Sequence, residues 1–256
     1  MKATYTKQEL IEAIKSVGIK NGDVLFCHSN VGYLGMPEGA KNKDEALQII
    51  LDAILSVIGD QGTLAVPTFT YSFSSGEIYN PISSPSNCGM FAEYVRCLQS
   101  SIRSNDPSIS VACIGSLALD LTQDLPENAY DESAFFGRFF DKNGKILNIN
   151  FDAGSTFLHF VERELSVPYR FDKTFVGKKY AGDNIVEAKS VIWVRDMDIK
   201  GSEANFERFN SVAVSQGYYK KQKIGRGTIG SITSSDAYSL LEKEIKKNVW
   251  FLTNKV

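Results

Sequence analysis

The sequence predicts an α/β fold of three layers (α/β/α), with helices on both faces of a mainly parallel central sheet. Residues 24–27 and 63–66 are almost continuously apolar, as strands that are buried on both faces are. An amphipathic helix precedes each of them across a short polar turn, an alternation typical of a parallel sheet covered by helices. Residues 174–196 instead alternate polar and apolar side chains, which predicts antiparallel strands with one face in water.

Start and stop signals delimit the individual elements. A capping box at residues 6–9 begins the first helix and Gly18 ends it. The first strand follows, then a helix from Asp44 to Gly59 and the second strand. Later in the chain the same signals predict helices at residues 91–98, 158–165, 205–214 and 235–245, and strands at 109–114, 145–150 and 250–252.

A shift in composition at residues 168–170 predicts how the chain is divided. We expect a main α/β region over residues 1–168 and a C-terminal α+β subdomain with antiparallel strands over residues 169–256. At 256 residues, the chain is long enough for both parts to pack as one unit around a substantial core.

Composition excludes several classes of protein. The net charge is −2, with acids and bases mixed along the chain, so neither nucleic acid nor an anionic membrane is an expected partner. No apolar run approaches membrane-spanning length and no signal peptide is recognisable, which predicts a cytoplasmic protein. The cysteines have no C-x-x-C spacing, so we expect reduced thiols and no metal site at Cys27, Cys88, Cys97 and Cys113.

Small polar residues cluster around the ends of the buried strands, at residues 28–30, 67–70, 110–115 and 148–155. Each segment alone is ordinary turn chemistry. The carboxyl ends of parallel strands meet at one edge of a sheet, where ligands bind. We therefore expect the four segments to converge and form a site.

Acid–base chemistry at neutral pH has few candidates, because the chain has two histidines, His28 and His159. His159 and Glu162 are i and i+3 neighbours on the helix predicted after residue 157, so their side chains can lie side by side. A nearby carboxylate raises the pKa of an imidazole and fixes which nitrogen carries the proton, which is how a general base is prepared. Taken alone, the pair fits a solvated polar turn better than a catalytic site, so the assignment needs support from elsewhere in the chain.

Six segments supply that support through their order and spacing. They are His28-Ser29-Asn30; Gly62 to Thr70; Ser84-Pro85-Ser86 with Gly89, Glu93 and Arg96; Arg103 to Pro107 with Ser110 and Gly115; Ser155 to Glu162; and Pro168-Tyr169-Arg170. In this order they resemble the aminoglycoside 3-N-acetyltransferase family, the antibiotic N-acetyltransferases, over nearly the whole chain. The resemblance implies an enzyme that transfers an acyl group from an acyl-CoA thioester to a primary amine by direct attack in a ternary complex.

The resemblance also implies roles for individual residues. His159, oriented by Glu162, would be the general base. Thr68, or a backbone N–H of its loop, would stabilise the oxyanion of the tetrahedral intermediate; a strand-end turn residue is the alternative for Thr68. The phosphates of CoA call for hydroxyls, N–H groups and a cation, and the matching positions are His28, Ser29, Asn30, Arg103, Ser104 and Ser110. A hydrogen bond to strand-end backbone is the alternative for His28, and Tyr169 and Arg170 are expected to lock the junction to the subdomain.

Two departures from the family pattern concern the acceptor. Members that act on aminoglycosides usually have His-Ser-Ser where this chain has His28-Ser29-Asn30, and His-Pro where it has Asp106-Pro107. The variant resembles the branch of surface-polysaccharide biosynthesis, in which a nucleotide carries the amino sugar. We therefore predict transfer of an acetyl or short hydroxyacyl group to a nucleotide-linked amino sugar. The alternative is an aminoglycoside 3-N-acetyltransferase that confers antibiotic resistance.

Two other classes of function stay open. A thioester or amide hydrolase would use Cys27 or a serine with His159, but the G-x-S-x-G motif is absent from the sequence. A binding protein could keep the fold without activity, and the intact pair of His159 and Glu162 argues against it. The sequence leaves the oligomeric state open, a homodimer included.

Overall fold

The computed structural model describes residues 4–255. Its helices are α1 (Lys7–Ser16), α2 (Lys43–Ile58), α3 (Met90–Arg96), α4 (Ala118–Thr122), α5 (Phe135–Asp141), α6 (Phe157–Glu164), α7 (Glu207–Ser215) and α8 (Ser234–Lys247). Its strands are β1 (Val24–Ser29), β2 (Thr63–Pro67), β3 (Ile102–Arg103), β4 (Val111–Gly115), β5 (Lys145–Ile149), β6 (Arg170–Ala181), β7 (Asn184–Arg195), β8 (Lys220–Ile224) and β9 (Gly227–Thr233).

Seven of these strands form one sheet, in the order β3-β4-β2-β1-β5-β9-β8. β1 pairs in parallel with β2 on one side and with β5 on the other, whereas the four outer strands are antiparallel to their neighbours. The α/β fold class is confirmed, but the sheet is mixed rather than mainly parallel. Residues 104–110 join β3 to β4 and residues 225–226 join β8 to β9, and connections this short can only form hairpins.

Helices cover both faces of the sheet and make three layers. Side chains alternate along β1, so Leu25 and Cys27 enter the apolar core beneath α1, α2 and α3, while Val24 and Phe26 enter the core beneath α4 to α8. Phe26 meets three aromatic rings of α5 edge-on. Because both of its faces are covered, β1 needs apolar residues at successive positions, which explains the apolar run in the sequence.

The antiparallel pair predicted for residues 174–196 is present as β6 and β7, which form a second sheet with Arg170 opposite Arg195. The same part of the chain also completes the main sheet, since β9 pairs with β5. The strand predicted at residues 250–252 is wrong: these residues form turns, and they are apolar because Phe251 and Leu252 are buried in the core. No helix within residues 4–255 is long and apolar enough to cross a membrane.

Gly115 ends β4 with a φ of +129° and lies opposite Thr63 of β2. A Cβ atom at this position would collide with the backbone of Gly62 and Thr63. We expect Gly115→Ala to lower the free energy of unfolding by about 2–4 kcal/mol, because an unfavourable φ and a backbone collision act together. Urea unfolding followed by circular dichroism measures this change.

Gly22→Ala is the matched control. Gly22 also has a positive φ, +82°, but nothing lies within 4 Å of the position that its Cβ would take. The control should therefore lose about 1 kcal/mol, the cost of the backbone conformation alone. Equal losses in the two variants would contradict the contribution assigned to the collision.

Candidate active site

The candidate site lies at the sheet edge where β1, β2 and β5 end. β1 and β5 remain paired up to Ser29, and Pro67, the last residue of β2, pairs with Val111, the first residue of β4. Because β4 runs antiparallel to β2, its beginning rather than its end lies at this edge. Three strand ends and one strand start therefore meet here, which brings Ser110 to the site and leaves Gly115 at the opposite edge.

Two polar side chains fix the start of α6 just beyond the end of β5. The Asn148 amide donates to the carbonyl oxygens of Asp152 and Gly154 and so folds the connecting loop back over the strand. The Ser155 hydroxyl accepts the N–H of Phe157, the first residue of the helix. These contacts set the direction in which α6 presents its side chains.

Glu162 on α6 is the centre of a group of four polar side chains, which we call the Glu162 cluster. His159 Nδ1 lies 2.5 Å from Glu162 Oε2, so the pair predicted from the spacing is formed. Tyr169 donates its hydroxyl to Oε1 at 2.7 Å, and Arg170 Nε lies 2.9 Å from Oε2 in an ion pair. The Glu162 side chain is 1% exposed, whereas that of His159 is 17% exposed. With Nδ1–H donated to the carboxylate, the remaining nitrogen of His159, Nε2, is left as a proton acceptor.

Burial and neighbouring charges set the protonation states in the Glu162 cluster. Burial, and then the Arg170 cation, lowers the pKa of His159, and the attraction of Glu162 does not reverse the direction. Burial raises the pKa of Glu162, but His159, Arg170 and Tyr169 outweigh it and hold that pKa below its usual value. At pH 7 the carboxylate is therefore ionised and the imidazole neutral. Glu162 does raise the pKa of His159, as expected from the spacing, but burial and the Arg170 cation outweigh it and the net pKa is lowered.

His28 contacts the start of α6 from the end of β1. Its Nε2 lies 2.9 Å from the Ser155 hydroxyl, and its ring centroid is 4.7 Å from that of Phe26. Burial lowers the pKa of His28 to about 4, so the ring is neutral at pH 7. Ser155 already accepts the N–H of Phe157 and can donate its own proton to His28. The hydrogen bond links β1 to α6, and a contact between His28 and CoA stays a prediction.

Thr68, Arg103 and Ser110 form a second hydrogen-bonded group, the Arg103 group, at the end of β2 and the start of β4. The Thr68 and Ser110 hydroxyls lie 3.0 Å apart, and Arg103 Nε donates to them at 3.2 and 3.1 Å. The other guanidinium nitrogens donate to the carbonyl oxygens of Pro81, Ser84 and Thr68. Ser104, also buried, accepts a backbone N–H of β4. These polar groups already have partners within the protein, and their predicted roles toward CoA and the oxyanion stay predictions.

A cavity of about 340 Å³, the β1–β2 cavity, opens at the same sheet edge. Its wall includes His28, Ser29 and Asn30 at the end of β1, Phe69 after β2, and Gly89 before α3. The structure therefore brings three of the six predicted CoA-binding residues to one cavity. The other three belong to the Arg103 group or adjoin it.

Sequence reasoning missed the side chains that reach His159 from distant segments. The Tyr130 ring lies 6.4 Å and the Phe206 ring 5.7 Å from the imidazole, centroid to centroid. Both come from segments without a periodic pattern, and nothing in the sequence singles them out. Tyr169 and Arg170 lie at the junction to the hairpin of β6 and β7, as expected. They hold this junction by binding the carboxylate of Glu162. The motif of residues 168–170 was the sequence signal that pointed to them.

Comparison with known proteins assigns a family to this arrangement. A family model described as aminoglycoside 3-N-acetyltransferase matches residues 26–246. The chain belongs to this family. The predicted resemblance is thereby confirmed, and the branch acting on nucleotide sugars is not represented among the relatives described below.

The relatives of this protein within the family have low sequence identity to it, but they match most of the chain. The aminoglycoside N(3')-acetyltransferase-like protein YokD of Bacillus subtilis is 22% identical over 97% of this chain and 93% of its own. Aminoglycoside N(3)-acetyltransferase IX of Micromonospora chalcea is 26% identical over 79% of this chain and 75% of its own. The solved structure of AAC-IIIb with CoASH matches with a TM-score of 0.80 at 18% identity, covering 95% of this chain and 97% of that one, which shows the shared fold.

As a member of this family, the protein is an acyl-CoA-dependent N-acyltransferase. Within residues 4–255 no three His, Cys, Asp or Glu side chains are grouped so that they could hold a metal ion. The β1–β2 cavity is lined by hydroxyl, amide and apolar groups, a donor set that suits the amide-rich pantetheine arm of acyl-CoA.

The acidic limb of the pH profile should respond in opposite directions to two changes in the Glu162 cluster. With the pKa of His159 below its ordinary value of 6.5, kcat/KM should persist below pH 6.5 and fall as the pH drops through the lowered pKa. Arg170→Gln removes a cation and should move this limb to higher pH. Glu162→Gln removes the carboxylate that favours the imidazolium and should move it to lower pH.

Arg195→Gln is the matched control for Arg170→Gln. Arg195 of β7 lies opposite Arg170 of β6, but it forms an ion pair with Glu203 rather than with Glu162. Its loss should leave the limb in place. If Arg170→Gln and Arg195→Gln moved the acidic limb equally, the assignment of that limb to His159 would fail. It would also fail if neither Arg170→Gln nor Glu162→Gln moved the limb.

Proposed function

We propose that the protein transfers the acetyl group of acetyl-CoA to a primary amine of an aminoglycoside, with His159 as the general base. The names of the curated relatives support this acceptor, and the family model carries the same activity. The nucleotide-linked amino sugar predicted from Asn30 and Asp106 has no such support, so the aminoglycoside becomes the main hypothesis.

The Glu162 cluster is the observation on which the proposal rests. A base for an amine must be unprotonated at the working pH, held in one orientation and in reach of the substrate. His159 is neutral because it is buried, oriented because Nδ1–H is donated to Glu162, and partly exposed. Glu162 itself is too deeply buried to contact a substrate, so its role is positioning.

The proposed reaction is a direct displacement. The amine nitrogen attacks the thioester carbonyl carbon, and one N–H proton passes to Nε2 of His159. The tetrahedral intermediate collapses with cleavage of the C–S bond, and the imidazolium returns the proton to the thiolate of CoA. The products are an amide and CoASH, and the free base is regenerated. The negatively charged Glu162 carboxylate, which accepts Nδ1–H, stabilises the imidazolium while it exists.

The intermediate needs a donor for its oxyanion. The Thr68 side chain is fully buried and bonded to the Arg103 group. We propose that Thr68 positions its loop, and that the neighbouring N–H of Phe69 is the donor. Phe69 lines the β1–β2 cavity. This choice follows the second of the two options that the sequence leaves open, a backbone N–H of the loop.

Thiol release tests the acceptor. Purified protein with acetyl-CoA would be offered a panel of aminoglycosides and a second panel of nucleotide-linked 3-amino and 4-amino sugars, with a thiol reagent as the readout. We expect release with aminoglycosides and not with nucleotide sugars. Release with nucleotide sugars alone would overturn the proposed acceptor and restore the prediction made from Asn30 and Asp106.

His159→Ala tests the base. Loss of a general base costs about 10²–10⁴-fold in kcat, and we expect a loss in this range while CoA still binds. Calorimetric titration with CoA shows whether the variant keeps the donor site. Turnover at the wild-type rate would exclude His159 as the base.

A further inference from the structure

Asp106 closes a buried turn just before β4. Its Oδ1 accepts the N–H groups of Ser108 at 2.7 Å and of Ile109 at 3.2 Å. The Ser190 hydroxyl of β7 lies 3.4 Å from the same oxygen and 2.8 Å from the Ser108 hydroxyl, and both serines are 1% exposed. A carboxylate oxygen can accept two N–H groups at once, whereas a neutral imidazole has one nitrogen lone pair. Asp106 therefore fixes this turn in a way that a histidine at the same position could not.

The carbonyl groups of this turn hold the segment that follows β2. Pro107 O accepts the N–H of Ser72 at 3.0 Å and the Thr70 hydroxyl at 2.9 Å. Ser108 O accepts the N–H groups of both Thr70 and Tyr71 at 3.1 Å. Four hydrogen bonds therefore join the turn to this segment, whose position depends on them.

Tyr71, in the middle of this segment, combines a strained backbone with an exposed ring. Its φ is +55°, a value that a bulky side chain adopts only where the surrounding structure imposes it, most often at functional sites. The side chain is 42% exposed. Its ring lies 6.1 Å from that of Phe69, centroid to centroid, and Phe69 lines the β1–β2 cavity. The Tyr71 ring therefore adjoins the wall of this cavity.

Tyr71 also interacts with the surroundings of the proposed base. Burial raises the pKa of Tyr130, and the Tyr71 hydroxyl raises it further. Tyr130 is the ring that meets His159 edge-on. In the proposed reaction, the amine must meet the thioester between the β1–β2 cavity and His159. Tyr71 has a neighbour on each side of this path.

We propose that Asp106 is a positioning residue for the acceptor: through its turn it holds the Tyr71 ring where the ring packs against the amino sugar that carries the reacting amine. An aromatic face suits a sugar ring with ammonium groups, because it offers apolar contact and attracts cations. The inference rests on the proposed function in taking an amino sugar as the acceptor. It gives Asp106 a part in acceptor recognition that the proposed function leaves open.

Steady-state kinetics tests the contact, with the amine that releases thiol fastest in the panels described above. We expect Tyr71→Ala and Asp106→Ala each to raise KM for the amine about three- to tenfold, as the loss of one aromatic contact does. KM for acetyl-CoA and kcat should be nearly unchanged, since the contact is made away from the reacting atoms. The double variant should be no worse than Tyr71→Ala, because Asp106 acts through Tyr71.

Two conservative variants keep what the proposal requires. Asp106→Asn retains an oxygen that can accept both N–H groups, and Tyr71→Phe retains the ring, so both should have wild-type KM values. Asp196→Ala is the matched control for the loss of a turn. Asp196 Oδ1 accepts the N–H of Asp198 after the end of β7, and the loss of this bond should leave KM for the amine unchanged. Circular dichroism confirms that each variant is folded.

A wild-type KM for the amine in Asp106→Ala would overturn the proposal, as would additive losses in the double variant or an equal rise in KM for acetyl-CoA. Calorimetric titration of both amine panels into the complex of protein and CoA separates this inference from the proposed function. Binding of nucleotide sugars alone, weakened in Tyr71→Ala, would overturn the aminoglycoside as acceptor and support the Tyr71 contact. Absence of binding by every amine would overturn the contact itself.

Discussion

The buried carboxylate of Glu162 is the constraint on which the site depends. An ionised carboxylate that is 1% exposed is tolerated only where its charge is compensated and its lone pairs are bonded. Arg170 supplies the opposite charge, Tyr169 and His159 supply hydrogen bonds, and all three are therefore held in fixed positions. The same contacts tie α6 to the start of β6, so the orientation of His159 and the attachment of the hairpin of β6 and β7 are one structural requirement.

The mixed sheet places the second polar group of the site. Had β4 followed β2 in parallel, Gly115 would lie at the site and Ser110 at the far edge. The antiparallel pairing of Pro67 with Val111 reverses this and brings Ser110 against Thr68, where Arg103 bonds both hydroxyls. A small change in topology thus decides which side chains meet, even though the α/β class is unaffected.

These two groups show what the sequence could and could not predict. The spacing of His159 and Glu162 is a local property of a helix, and the apolar run of β1 is a local property of a strand covered on both faces, so both were predictable. The strands β8 and β9 were not, because their residues 220–233 mix charged, glycine and apolar positions without a clear period. The hydrogen bond between Tyr169 and Glu162 depends on a chain reversal that no spacing encodes.

The two histidines differ in what they leave free rather than in the direction of their pKa shifts. Burial lowers the pKa of each, so both are neutral at pH 7. A neutral imidazole has one nitrogen lone pair to offer. In His28 the bonded nitrogen is Nε2, which lies 2.9 Å from the Ser155 hydroxyl, and His28 therefore holds β1 against α6. In His159 the bonded nitrogen is Nδ1, which donates to Glu162, and the lone pair is on Nε2, as the proposed role of base requires. Hydrogen bonding, more than acidity, separates the structural histidine from the candidate base.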